Sequence, residues 1–158
     1  MSLDRLAAAF RRIESLSGVV VSAGIQSSEG KLQTEAADAT LADVATWNHF
    51  GTQTIPARPW LEVALDRNRR KWAGLAGRVV KPWREGDGLP ELQVLSAVMV
   101  GDCQESLLDG AWAPNAEATI KAKGSDQPLV DTGRLVQSHR GAVDFPDGST
   151  VVVNGVRS

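Results

Sequence analysis

Residues 142–154 have the sequence AVDFPDGSTVVVN, and this stretch decides the fold class. The run Ala142–Phe145 precedes Pro146-Asp147-Gly148, and the run Ser149–Asn154, which is rich in β-branched residues, follows it. An Asp-Gly pair between such runs is typical of a tight hairpin turn. We therefore predict an antiparallel β-hairpin in the C-terminal part of the chain.

The sequence before the hairpin predicts one more strand and several helices. Residues 18–25, GVVVSAGI, have three adjacent valines, which favour a pleated strand. Residues 3–16 predict an N-terminal helix, and two long helices are predicted after Pro59 and from about Leu92 to Asp109 by apolar residues spaced three and four apart. We predict an α+β fold, with a small, mostly antiparallel sheet, an N-terminal helix and two long central helices.

The segments between these elements have weaker signals. Thr40-Leu41-Ala42-Asp43 predicts a helix start with a capping threonine and an acid three residues later. Residues 50–59 contain too many prolines and glycines for a regular element, and the first long helix is expected to end near Lys81-Pro82. Residues 112–127 are predicted to be irregular and flexible until assembly, and residues 132–139 to form a short helix.

Composition limits the classes of function. The chain has 158 residues and a formal net charge of -2, which suit one domain over residues 1–158 with no general attraction to nucleic acid or acidic membranes. Cys103 is the single cysteine, so the chain has no internal disulfide and suits a reducing cytoplasm. We expect no signal peptide and no membrane span.

One motif is compatible with catalysis. Residues 129–133, LVDTG, resemble the active-site turn of aspartic proteases, in which two aspartates share a proton. One copy per chain would require a homodimer, and Arg134 would place a fixed positive charge beside the two carboxylates. The alternative is a structural cap, formed by Asp131, Thr132 and Gly133 at the start of a short helix.

Other catalytic constellations are missing from the sequence. His49 and His139 have no Cys or carboxylate partners at metal-ligand spacing, and no glycine-rich phosphate loop is present. Cys103 lies in an apolar helical stripe, which predicts a buried, unreactive thiol. We therefore expect neither enzymatic activity nor a cofactor.

Basic residues are concentrated in one predicted helix. Eight basic residues against two acidic ones lie between Arg58 and Arg84. They can form a solvated helix face with salt bridges to an acidic neighbour, or they can face DNA phosphates. The candidate DNA-facing residues are Arg67, Arg69, Arg70, Lys71 and Arg78.

Two segments carry a resemblance to a known family. Residues 47–61, WNHFGTQTIPARPWL, resemble the "NEFGT…IPARPFL" signature of the virion morphogenesis and neck proteins of tailed bacteriophages. Residues 120–135, IKAKGSDQPLVDTGRL, with Ser138, resemble that family's "I..KGSD.PLVDTG.L..S" segment, in the same order along the chain. His49 stands where the family usually has Glu, and Trp60 where Phe is common.

The resemblance implies a small α+β protein that assembles into a ring at the head–tail neck of the virion, after synthesis in the host cytoplasm. The ring would be a neck, tail-completion or tail-terminator ring, and a hexamer is favoured by analogy with sixfold tail tubes. Its partners would be copies of itself, other neck, connector or tail-tube proteins, and DNA passing non-specifically through the lumen. The expected subunit or ring interface comprises Phe50, Gly51, Thr52, Ile55, Pro56, Ala57, Arg58, Pro59, Trp60, Trp112, Lys123, Gly124 and Asp126.

The sequence leaves two other classes of function open. A homodimeric protease would depend on Asp131. A small DNA-binding regulator would bind duplex DNA as a free protein, in a salt-sensitive way. Neither class explains the segment from Phe50 to Trp60.

Overall fold

A computed structural model describes residues 3–26, 31, 39–129 and 133–154, without the side chains of Leu3 and Lys123. It confirms the predicted α+β fold, with an N-terminal helix and two long central helices. In chain order the elements are α1 (Leu3–Glu14), β1 (Val20–Ile25), α2 (Leu41–Phe50), α3 (Trp60–Glu85), α4 (Leu89–Asp109), α5 (Glu117–Lys123), α6 (Arg134–Gln137), β2 (His139–Asp144) and β3 (Thr150–Asn154).

The three strands form one antiparallel sheet in the order β1-β2-β3. The predicted hairpin is confirmed: Val143 pairs with Val151, and Asp144 pairs with Thr150 beside the turn. Asp147 stabilises the turn, because its carboxylate accepts hydrogen bonds from the backbone N–H and the hydroxyl of Ser149. These bonds lower the pKa of Asp147.

The chain divides into two compact units, and neither is one continuous segment. Unit 1 comprises residues 1–23, 68–101 and 140–158, and unit 2 comprises residues 24–67 and 102–139. The core of unit 1 is built on Val79, Leu92 and Val143, with valines of β1 and β3 packed around them. The core of unit 2 contains Leu41, Ala45, Trp60, Leu107, Leu129 and Leu135.

Helix α2 begins as the sequence predicts. Thr40 lies in an extended conformation, and its hydroxyl accepts a hydrogen bond from the backbone N–H of Asp43. The Asp43 carboxylate accepts in return from the Thr40 backbone N–H at 2.8 Å. The capping box is therefore complete, and its hydrogen bonds lower the pKa of Asp43.

Two predicted boundaries are wrong. α3 continues to Glu85, with Pro82 inside its last turn, where the missing N–H removes only one helical hydrogen bond. Backbone hydrogen bonds from Gly86 to Trp83 and from Asp87 to Pro82 close this end of the helix. Residues 112–127 are not irregular throughout, because residues 117–123 form α5.

The α4–β2 contact in unit 1 depends on a glycine. A Cβ atom on Gly141 would lie 2.0 Å from Oγ of Ser96, a residue that is completely buried. The Ser96 hydroxyl donates a hydrogen bond to the carbonyl of Ser22 at 3.0 Å, so this side chain is held in place by β1. The strand approaches the helix this closely only because residue 141 has no side chain.

We expect Gly141→Ala to lower the free energy of unfolding by about 1–3 kcal/mol, because an overpacked core must shift to admit the methyl group. Gly101→Ala is the matched control, since nothing lies within 4 Å of a Cβ atom at this glycine of α4. Chemical denaturation of both variants measures the difference. Equal stability of the two variants would contradict the close approach.

Candidate assembly interface

The loop between α2 and α3, residues 51–59, holds its shape through its own hydrogen bonds. The backbone N–H of Thr52 donates to the carbonyl of Ile55 at 2.8 Å, and the Thr52 hydroxyl accepts from the N–H groups of Thr54 and Ile55. Gly51 has a φ of 78°, and a Cβ atom there would lie 2.9 Å from the backbone nitrogen of Ala57. The glycine of the motif is therefore required both for the backbone conformation and for the close return of the loop.

Arg58 is the buried centre of this region, with 3% of its surface exposed. Its guanidinium donates to Asn48 Oδ1 at 3.0 Å, to the carbonyls of Ala113 and Pro114 at 3.1 and 3.3 Å, and to Asn115 Oδ1 at 3.3 Å. All four acceptors are uncharged oxygens. Burial lowers the pKa of Arg58 from its ordinary value, but a guanidinium stays charged in proteins. These five residues, Arg58, Asn48, Ala113, Pro114 and Asn115, form what we call the Arg58 network.

Additional bonds orient the two amide side chains of the Arg58 network. Asn48 donates from Nδ2 to the carbonyl of Val44 at 2.8 Å, which fixes its oxygen toward Arg58. The backbone N–H of Arg58 itself donates to the carbonyl of Asn48 at 2.8 Å. The guanidinium therefore lies among oxygens that are already in place, and this offsets the cost of its burial.

The Arg58 network extends to the second motif. Asn115 donates from Nδ2 to the carbonyls of Asp126 and Gln127, both at 3.3 Å. Gln127 donates from Nε2 to the carbonyl of Leu108 at 3.2 Å, which attaches the same segment to the end of α4. The two motifs, far apart in sequence, are thus joined inside unit 2 through Arg58 and Asn115.

Trp60 makes a second link between the two motifs. Its side chain is 1% exposed, and its Nε1–H donates to Nε2 of His139 at 3.2 Å. Because indole only donates, Nε2 of His139 must accept, and the ring proton lies on Nδ1, 2.9 Å from the carbonyl of Leu135. The Ser106 hydroxyl donates to the carbonyl of Trp60 at 2.9 Å. His139 therefore serves as a buried structural residue in unit 2.

His49 lies between an exposed ring and the buried Trp60. Its ring centroid is 4.6 Å from that of Phe50 and 4.9 Å from that of Trp60, both edge to face. Its Nε2 is 3.9 Å from a carboxylate oxygen of Glu62, and its buried Nδ1 has no hydrogen-bond partner among the described residues. Burial lowers the pKa of His49, while the charge of Glu62 opposes this shift. A neutral imidazole is the form that this position favours.

The predicted interface residues divide into exposed and buried sets. Phe50 is 70% exposed, and the exposed or half-exposed members of the loop are Gly51, Thr52, Ile55, Pro56, Ala57 and Pro59. Arg58 and Trp60 were predicted at the interface, but both are buried and hold the loop from inside. Trp112 is half-buried against the unit 2 core, and its Nε1–H donates to the carbonyl of Leu107 at 3.1 Å.

The remaining interface candidates lie beside the second motif. Gly124 is the left-handed C-cap of α5, with its N–H donating to the carbonyl of Ile120, and it is exposed. Asp126 is also exposed. Lys123 is the last residue of α5, and its side chain lies outside the described part of the structure.

The candidate cap and protease residues are only partly described. Asp131 and Thr132 lie outside the described residues. Gly133 occupies the N-cap position of α6 with a φ of 75°, and α6 itself is shorter than predicted. Leu129, two residues before Asp131, is buried and has a φ of 61°, which is uncommon for a residue with a side chain.

All five candidate DNA-facing residues are exposed on α3. By helical geometry, Arg70, Lys71 and Arg78 fall within about a third of the helix circumference, whereas Arg69 lies on another side.

The predicted burial of Cys103 is confirmed, and burial raises the pKa of its thiol to about 11. Among the described residues, no three His, Cys, Asp or Glu side chains come together as metal ligands would.

No protein-family model, curated protein or solved structure matches this chain. In the part of the chain that is described, none of the helices has the length and apolar character needed to cross a membrane.

We expect Arg58→Lys to lower the free energy of unfolding by about 2–4 kcal/mol, because an ammonium cannot satisfy the four fixed oxygens around it. Arg67→Lys, at an exposed position in the same unit, is the control and should change stability by less than about 0.5 kcal/mol. Chemical denaturation followed by tryptophan fluorescence measures both values. An Arg58→Lys variant as stable as the control would show that the Arg58 network contributes nothing.

Proposed function

We propose that this chain is a structural component of the head–tail neck of a tailed bacteriophage, forming a neck, tail-completion or terminator ring that joins head to tail. The observation that carries the proposal is the ordered pair of family-like motifs, residues 47–61 and 120–138. Their meeting in one hydrogen-bonded unit supports it, because motif residues that act together are expected to lie together.

The distribution of exposed and buried motif residues also supports an assembly role. Arg58 and Trp60 of the first motif are buried and hold the loop in shape. Phe50, Pro56 and Ala57 are exposed to solvent. A loop held rigid by internal bonds loses little conformational entropy when another protein binds it. Such a loop suits a docking surface between rings.

A phage that lacks this chain is expected to accumulate filled heads and complete tails that do not join. Supplying the wild-type chain from a plasmid should restore joined particles, counted by electron microscopy and by plaque titre. The Asp131→Asn variant should restore them equally well, because the proposed role needs no catalytic carboxylate. Joined particles in the absence of the chain would contradict the proposal, and failure of Asp131→Asn alone would favour the protease.

We further propose that the basic side chains of α3 face DNA in the lumen of the ring. Their exposure and clustering support this placement, since clustered basic side chains interact with phosphates without sequence preference.

Replacing Arg70, Lys71 and Arg78, which share one side of α3, with Ala should leave ring formation intact but lower the fraction of particles that retain DNA. Lys121→Ala with Arg134→Ala, which also removes exposed basic side chains, is the control and should retain DNA normally. DNA retention is measured by nuclease sensitivity of purified particles. Loss of the ring itself in the α3 variant would refute the placement.

A further inference from the structure

The two units carry opposite formal charges. Unit 1 has eleven basic against seven acidic residues, a net charge of +4. Unit 2 has six basic against twelve acidic residues, a net charge of -6. The small net charge of -2 is therefore the sum of two larger charges of opposite sign. Two copies attract each other when unit 1 of one copy approaches unit 2 of another.

Unit 1 presents an apolar helix face that the chain leaves exposed. On α1, Phe10 is 64% exposed, and Leu6 and Ile13 are each 37% exposed. They share one face, because helix residues three and four apart are neighbours. The same helix carries three exposed basic side chains against two acidic ones, and the groove beside this face is lined by Arg5, Arg12 and Arg84 against one acid, Glu85. We call Leu6, Phe10 and Ile13 the α1 face.

The C-terminal end of α1 is firmly attached, which leaves this face presented in a fixed position within unit 1. Trp83 donates from Nε1 to the carbonyl of Arg12 at 2.6 Å, and Arg12 donates from Nη1 to the carbonyl of Arg84 at 3.2 Å. A groove of about 800 Å³ runs beside the helix and reaches Phe10 and Ile13. It has room for apolar side chains of another molecule.

Unit 2 presents an aromatic surface with acidic neighbours. Trp47 and Phe50 are 42% and 70% exposed and lie three residues apart on α2. His49 contacts the Phe50 ring and also lies 3.9 Å from the exposed carboxylate of Glu62, so the aromatic ring and the carboxylate flank one imidazole. Asp66 is exposed one helical turn after Glu62. We call Trp47, Phe50, Glu62 and Asp66 the Phe50 patch.

We propose that the α1 face of one copy docks on the Phe50 patch of the next copy. The second copy is the occupant that the charges select, because the apolar residues of α1 have basic neighbours and the aromatic residues of the patch have acidic ones. This inference rests on the ring proposed above and identifies its junction. The Phe50 patch also includes the exposed end of the first motif, so the motif would have a direct part in the contact.

A junction between two different surfaces has a defined consequence. Each copy uses its α1 face once and its Phe50 patch once, so association continues from copy to copy in one direction until a ring closes. A two-fold dimer would need the same two copies to form both junctions with each other, whereas a ring needs one junction between each pair of neighbours. Because charges contribute to the encounter, the rate of association falls as ionic strength rises.

The test uses two full-length variants, Phe10→Asp and Phe50→Asp, each of which blocks one side of the junction. Each variant alone should self-associate about tenfold more weakly than the wild type or worse, since a buried ring is replaced by a charge. Mixed in equal amounts, the variants should form a dimer of one copy of each and stop there, because only one intact junction is possible. Amine cross-linking followed by mass measurement gives the chain number, in solution or on purified tails.

Two controls separate the junction from general effects of an added charge. Val152→Asp replaces an apolar residue of unit 1 that is 63% exposed, nearly the value of Phe10. Leu108→Asp replaces one of unit 2 that is 42% exposed. Both controls should form the ring as the wild type does. Thermal unfolding of all four variants identifies any that fail to fold, and for such a position Phe10→Ser or Phe50→Ser replaces the charged variant.

The outcomes show separately whether the junction is wrong, whether the ring is wrong, and whether the α1 face binds a different partner. A wild-type ring that persists in both variants overturns the junction but leaves the ring proposal standing. A wild type that forms no ring, alone or on tails, overturns both. If Phe10→Asp loses the ring but the mixture forms no mixed dimer, α1 pairs with another surface. Strong binding of the wild type to anionic lipid vesicles, lost in Phe10→Asp, would assign the α1 face to a membrane surface instead.

Discussion

Burial of the Arg58 guanidinium is the constraint on which the architecture of unit 2 depends. A charged group enclosed by protein is costly unless nearly every donor has a fixed acceptor. Here the acceptors come from two parts of the chain, Asn48 of α2 and residues 113–115 after α4. The amide of Asn115 in turn donates to carbonyls of the second motif. Folding of the loop and positioning of residues 113–127 are therefore coupled through Arg58 and Asn115.

The same constraint separates the structural residues of the first motif from those available for contact. Arg58 and Trp60 face inward, and Gly51 permits the close return of the backbone. Phe50, Pro56 and Ala57 are left outside by the loop that these residues hold. A motif that looks like one surface in the sequence thus has an inner part that holds the loop and an outer part that stays exposed.

Much of the fold followed from local sequence patterns, because these patterns act through short-range physics. The hairpin of residues 142–154 and the capping box at Thr40 depend on neighbours within a few residues. The roles of Arg58, Asn115 and His139 were not predictable in this way, since their partners lie far along the chain. The resemblance placed Arg58 and Trp60 at a subunit interface, and only the tertiary contacts show that both are buried. Pro82 was misjudged because a proline near a helix end costs one hydrogen bond instead of the whole helix.

The two units carry formal charges of opposite sign, which the small total charge conceals. Opposite charges, a rigid loop and exposed apolar side chains are features that the proposed association of copies would use.

The most direct measurement of the central claim is the mass of the purified chain in solution, with and without purified phage tails. The account predicts a ring, of about six chains by analogy with sixfold tails, either in solution or once tails are added. A stable dimer whose mass does not change when tails are added would contradict the account and favour the homodimeric protease that depends on Asp131.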